Sequence, residues 1–172
     1  MNDGGIQMIE KVEKYDNKRK PLNKIEERYN VIENEYKQSV HVWIMNCNGE
    51  FLIQKRSPNK KSYPNMWSIT GGATEIGENT LETVIRECGE ELSINVEIDN
   101  LELLMTLRLK NDFTDIWLLK QDIDIENLVL QLEEVTQVRW VTVNEFEKMI
   151  DQKEIAINIT FYYDFFKKML GI

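Results

Sequence analysis

The stretch from Trp67 to Ile94 reads WSITGGATEIGENTLETVIRECGEELSI, and it narrows the possible folds more than any other part of the chain. Trp67 to Thr70 has the composition of a strand, and the strand runs into Gly71-Gly72. Gly77 then precedes a helix predicted over Asn79 to Leu92. Asn79 is a good N-cap, and Glu82 three residues on completes a capping box. A helix turns by ~100° per residue, so Leu81, Val84, Ile85, Cys88 and Leu92 share an apolar arc expected to face the core. Glu87, Glu90 and Glu91 occupy the adjoining arc. Carboxylates spaced i, i+3 and i+4 repel one another, and Arg86 is the only basic residue nearby. Taken alone, the triad reads as a solvated acidic face, the usual meaning of Glu-Glu on a helix. The glycines ahead of it change the balance, because Gly71 and Gly72 let the backbone approach a metal or a phosphate closely. A hard divalent cation would relieve the repulsion. Magnesium favours carboxylate oxygens and keeps waters that substrate phosphates can replace.

The remaining elements are read from alternation and turn residues. Two short N-terminal strands flank a turn-rich basic stretch, Asp16 to Pro21, whose charges read as solvated. Val40 to Met45 and Phe51 to Ile53 flank Asn46-Cys47-Asn48-Gly49, the signature of a hairpin. Leu103 to Leu109 and Asp115 to Leu119 form a further strand pair about Asn111-Asp112, and Gln137 to Val141 is a late strand. Helices are predicted over Val143 to Ile150 and Ile159 to Leu170. In the second of these, Phe161, Tyr162, Phe165, Phe166, Met169 and Leu170 form a stripe that docks on the core or, alternatively, meets a second copy of the chain. Trp43, Trp67, Trp117 and Trp140 lie in strands and read as core. Strands outnumber helices in mixed order, which argues for an α+β or α/β sandwich rather than a regularly wound parallel sheet.

At 172 residues the chain suits one domain, 1–172, with an N-terminal β extension over about 1–37. Its formal net charge of -9 disfavours nucleic acid as a partner but not a small phosphorylated ligand bridged by metal ions. Two cysteines, Cys47 and Cys88, make no disulfide framework. The first 20 residues are polar and lack an apolar signal core. No run approaches the ~18 apolar residues of a membrane span, so a cytoplasmic location without membrane attachment is expected.

Gly72, Glu78, Arg86, Glu87, Glu90 and Glu91 stand in the register of the Nudix box, which this segment resembles. Two positions depart from it. Cys88 replaces an aliphatic residue and reads as a small hydrophobe rather than a functional thiol. Ser93 replaces the last glycine and is expected to shift the helix exit. The run from Gln38 to Lys60, with QKRS at Gln54 to Ser57, is similar to the branch that includes isopentenyl diphosphate isomerase. Most of the chain from about Tyr15 onward fits that branch in outline. The isomerase uses a cysteine and a histidine near its box, and this chain has neither where they are expected; its one histidine, His41, sits on a strand read as core.

The resemblance implies an α/β/α sandwich with a mixed sheet and a pyrophosphohydrolase in which metal-activated water attacks phosphorus. The expected substrate is a nucleoside diphosphate linked to another moiety. Isomerase-like chemistry and a non-catalytic nucleotide sensor are the alternatives. By the same resemblance Glu87, Glu90 and Glu91, with the Gly71 backbone, ligate magnesium, for which manganese can substitute. Arg86 orients a glutamate, Gly72 and Glu78 shape the loop, Glu134 supplies a further carboxylate, and Arg56 and Lys60 contact substrate phosphates. A homodimer is compatible with this reading.

Overall fold

In a computed structural model that describes residues 10–172, nine strands and four α-helices build two sheets. β1 (Lys11–Tyr15) and β2 (Pro21–Glu27) form a separate antiparallel hairpin. The main sheet is centred on β3 (Lys37–Met45), which runs parallel to β8 (Asp112–Lys120) and antiparallel to β6 (Thr70–Ala73). β7 (Leu101–Arg108) adds to the outer edge of β8. On the other side, β4 (Phe51–Arg56) pairs with both β5 (Trp67–Ser68) and β9 (Val135–Val141).

Alternation along the strands sends side chains to both faces of this mixed sheet, and both faces are covered. On one face Val40, Val42, Ile44 and Leu52 pack against Val84, Cys88 and Leu92 of α1 (Thr80–Leu92). On the other, Trp43, Phe51, Ile53, Ile116 and Leu118 pack against α2 (Val143–Asp151), α3 (Ile157–Thr160) and α4 (Tyr163–Leu170). The architecture is the expected α/β/α sandwich, and Cys88 is a buried hydrophobe within it. Trp43 is fully buried, while Trp67, Trp117 and Trp140 pack at the margins of the two clusters. No helix among the described residues is long and apolar enough to cross a membrane.

Outside the packing of α1, the structure differs from expectation in five places. The turn at Asn46 to Gly49 forms, with Asn46 Oδ1 accepting from the amides of Asn48 and Glu50 and Gly49 at φ 75. Its strands then part after a single pair, Met45 opposite Phe51, because β6 and β8 take the two edges of β3. The predicted C-terminal helix is broken between α3 and α4. The chain bends at Tyr162, whose buried hydroxyl lies 2.9 Å from His41 Nδ1 and accepts from Trp43 Nε1 at 3.2 Å. Only part of the aromatic stripe docks: Tyr162, Tyr163 and Phe166 are buried, whereas Phe161, Phe165 and Met169 are exposed. Ser93 does not shift the helix exit. It takes the left-handed conformation itself (φ 55), closes the end of α1 with the Ser93 and Ile94 amides, and accepts the Val129 amide on its hydroxyl. The basic turn of the hairpin is not wholly solvated either, since Arg19 reaches the buried carboxylate of Asp115 on β8 through two nitrogens at 2.9 and 2.6 Å.

Candidate active site

The loop between β6 and α1 is held by side chains of the helix it precedes. Asn79 and Glu82 form the capping box, each accepting the other's backbone amide. Arg86, one turn further on, donates to both oxygens of Glu78 at 2.8 and 3.1 Å and to the Ala73 carbonyl at 3.0 Å. Glu78 also accepts the Glu75 amide and the Thr83 hydroxyl. One guanidinium thus ties the first strand residues after the glycines to the loop and the helix. Its remaining nitrogen donates to Glu87 at 2.9 Å and Glu90 at 3.2 Å. Burial alone would lower the Arg86 pKa, but Glu78 and Glu87 hold it above the ordinary arginine value.

The two glycines are required by close approach. Gly71 lies opposite His41 in the sheet, where an added Cβ would come within 2.3 Å of the Val40 carbonyl. A Cβ on Gly72 would stand 1.9 Å from Glu87 Oε1. A side chain there would push aside the carboxylate that the helix presents.

α1 is rotated relative to its predicted apolar arc. Ile85 is exposed, and Thr83, Glu91 and the first-turn Thr80 are buried in its place. Glu91 is 4% exposed. One of its oxygens accepts from Gln54 Nε2 at 2.8 Å, and Gln54 Oε1 in turn accepts from the Thr70 hydroxyl. Gln54 is buried on the face of β4 that also carries Leu52. Burial, reinforced by the charge of Glu87, pushes the Glu91 carboxyl up to about 8. Burial also raises Glu87, against the pull of Arg86.

Arg86, the two glycines and Glu87, Glu90 and Glu91 of α1 line one cavity of about 650 Å³. Glu87, Glu90 and Glu91 lie on its helix side with the backbone of Gly71 and Gly72. Arg56 and Lys60 line it from β4 and the loop that follows, and Glu134 from the residues before β9. Lys60 is ion-paired with Glu134, and the Arg56 Nε donates to the Ser62 carbonyl at 2.9 Å. Burial lowers the pKa of both Arg56 and Lys60. Among the described residues no three carboxylate, imidazole or thiol groups are gathered closely enough to hold a metal outright; Glu87 and Glu90 are drawn to Arg86 and Glu91 to Gln54. The donor set nevertheless suits a hard cation. It comprises carboxylate oxygens beside close-lying glycine backbone, with two of the carboxyls raised by burial and so favoured in the charged form by a bound cation.

The NUDIX domain family model matches residues 35–161. The chain belongs to the Nudix family. An uncharacterized Nudix hydrolase of Listeria innocua is 34% identical over 111 residues, covering 64% of this chain and 66% of its own length. The chain therefore spans just under two thirds of that relative. Isopentenyl-diphosphate Delta-isomerase of Escherichia coli is 34% identical over only 55 residues, 31% of this chain and 30% of the enzyme. Among solved structures, DR0079 from Deinococcus radiodurans superposes with a TM-score of 0.72 at 22% identity, over 86% of this chain and 92% of that one. The NUDIX domain of Shewanella oneidensis NrtR, solved as a complex with ADP ribose, has a TM-score of 0.54 at 15% identity, over 66% and 77%. At these identities the structural likeness establishes the Nudix fold.

Every residue read from the Nudix box or its flanks as part of a site lines this cavity or contacts a residue that does. His41 does not: it faces Tyr162 and Asn158 on the far side of the sheet, and burial lowers its pKa to about 4. Sequence reasoning missed Gln54 as the partner of Glu91, although an amide on the α1-facing side of a core strand is a legible signal. It also missed Glu10, Lys11 and Arg28 of the N-terminal hairpin, which line the same cavity and carry no local signal of that role.

Proposed function

We propose that this protein is a magnesium-dependent Nudix pyrophosphohydrolase that cleaves a phosphoanhydride bond in a nucleoside diphosphate linked to another moiety, with manganese able to replace magnesium. The observation that carries this reading is one cavity with the carboxylates of Glu87, Glu90 and Glu91 on one side and Arg56 and Lys60 on another. Carboxylates and cations sharing one cavity suit a cation-bridged diphosphate. Glu87, Glu90, Glu91 and the Gly71 backbone would hold the metal, which when bound supplies charge neutralisation and a lowered pKa for water at the reacting phosphorus. Arg86 and Gln54 orient the carboxylates, Arg56 and Lys60 bind phosphate oxygens, and Glu134, paired with Lys60 in the cavity wall, supplies a further acid or base. A fold shared with a domain solved with ADP ribose supports a nucleoside diphosphate as the bound class.

The test is a panel of nucleoside triphosphates, sugar nucleotides, ADP-ribose, dinucleotides and isopentenyl diphosphate, run in oxygen-18 water with magnesium. Label is expected on a phosphate of one product. Label on a sugar carbon would exclude phosphoanhydride cleavage, and an isomerised, unlabelled product would restore the isomerase reading. Glu87→Gln is expected to depress turnover far more than Glu82→Gln, which alters the exposed capping residue.

A further inference from the structure

Four residues of the cavity wall, Glu10, Lys11, Val12 and Arg28, come from the N-terminal hairpin and its ends, outside the segment matched by the family model. Arg28 follows β2 directly, and its amide donates to the Glu10 carbonyl, which fixes the open end of the hairpin. The hairpin is tied to the main sheet by reciprocal backbone bonds between Tyr15 and Tyr36 and by packing of both rings with Phe113. Arg28 is therefore held at the cavity by rigid elements rather than by a loose tail.

The partner of Arg28 is the carboxylate of Glu10. The two members of the pair are unequally placed: the Arg28 side chain is 25% exposed and that of Glu10 57%. Glu10 can swing into water at little cost, while Arg28 stays at the cavity. An exposed ion pair of this kind contributes little stability. A guanidinium offers several donors in a planar fork, a match for two oxygens of a phosphate, and such charge-assisted pairs are strong. Arg56 and Lys60 line the same cavity, so a ligand there meets Arg28 together with the two cations proposed to bind phosphate oxygens, and the charges of Arg28 and Glu87 act on each other within it.

We propose that Arg28 is a substrate-binding residue for the diphosphate oxygens, and that Glu10 is its internal competitor, displaced when the ligand enters. The proposal extends the diphosphate reading of the same cavity. It makes the hairpin part of the substrate site, and it assigns opposite effects to two neighbouring residues.

Calorimetric titration of the full chain with methylenediphosphonate, a non-hydrolysable analogue of diphosphate, tests it with magnesium present; manganese alone is titrated in parallel. Arg28→Gln is expected to weaken diphosphonate binding roughly tenfold or more, the loss of one charge-assisted contact. Glu10→Gln is expected to strengthen it severalfold, since the competitor is gone. Manganese affinity stays unchanged in both variants. A general structural role for the pair would make both variants bind worse, which overturns the proposal. Unchanged diphosphonate binding in Arg28→Gln also overturns it, while leaving the metal assignment intact if manganese still binds. A wild-type protein that binds manganese but not the diphosphonate at millimolar concentration refutes the proposal, and one that binds the diphosphonate but not manganese refutes the metal site instead.

Discussion

On the proposed metal assignment, Glu91 couples folding to metal binding through one side chain. Its carboxyl is raised from 4.5 to about 8, first by burial and then by Glu87. With the folded value above the unfolded one, the native protein keeps a proton that the unfolded chain has already lost. That contribution to stability is fully present below pH 4.5 and disappears as the pH rises through about 8. The melting temperature of the metal-free protein should therefore fall across this interval, with Glu87, raised in the same direction, adding to the slope. Metal binding demands the deprotonated carboxylates, so the gain in melting temperature from millimolar magnesium should be larger near pH 8 than near pH 6, roughly in step with the lost proton. Glu91→Gln should flatten the metal-free profile. Thermal scans in chelator and in magnesium check both. A magnesium shift equal at both ends of the range would mean that the buried carboxyls are not ligands.

The glycine loop and α1 act as one piece because Arg86 joins them, touching Glu78, Ala73, Glu87 and Glu90 at once. The apolar contacts of α1 are made by Val84, Cys88 and Leu92, on a different face. Arg86→Ala should therefore leave the fold standing at a cost of about 1–3 kcal/mol for the acceptors left unpaired. Turnover should fall on the order of a hundredfold, as expected for carboxylates misplaced by about an ångström. Arg86→Lys should rescue little, since an ammonium cannot span both oxygens of Glu78 and the Ala73 carbonyl. Urea unfolding and kcat/KM separate the two effects. Full activity in the lysine variant would show that charge alone suffices and that the fork geometry is irrelevant.

Across the molecule, the N-terminal hairpin is locked to the sandwich through Asp115. This carboxylate is 1% exposed and accepts from Arg19, from Thr80 at 2.7 Å and from Thr106 at 2.6 Å. The hairpin turn, β7 and the first residue of the Nudix helix thus meet on one buried charge. Arg19→Leu should cost about 3–5 kcal/mol, because it strands that charge. Asp115→Leu in the same chain should recover a large part of the loss. Equilibrium urea unfolding of the single and double variants reads this directly. A single variant as stable as the wild type would mean that solvent or a rearranged side chain serves Asp115 equally well.

The sequence alone determined α1, its cap, and the register of Gly72, Glu78, Arg86, Glu87, Glu90 and Glu91. These relations lie within about two dozen residues and follow from the period of one helix and the steric needs of glycine. The runs Val40 to Met45 and Phe51 to Ile53 about Asn46 to Gly49 likewise announced two strands and their turn, while their burial on both faces appears only in the structure. A helical period says which residues share a face but not which face meets the sheet. Hence the helical period places Ile85 on the core arc, while the structure exposes it and buries Glu91 against Gln54, a partner 37 positions away. The parting of β3 from β4, the bend at Tyr162, the pairing of Arg19 with Asp115 and the arrival of Arg28 at the cavity were decided by the tertiary structure. Each depends on residues far apart in the chain competing for one edge, one cavity or one buried charge, and that competition leaves no mark in the local pattern.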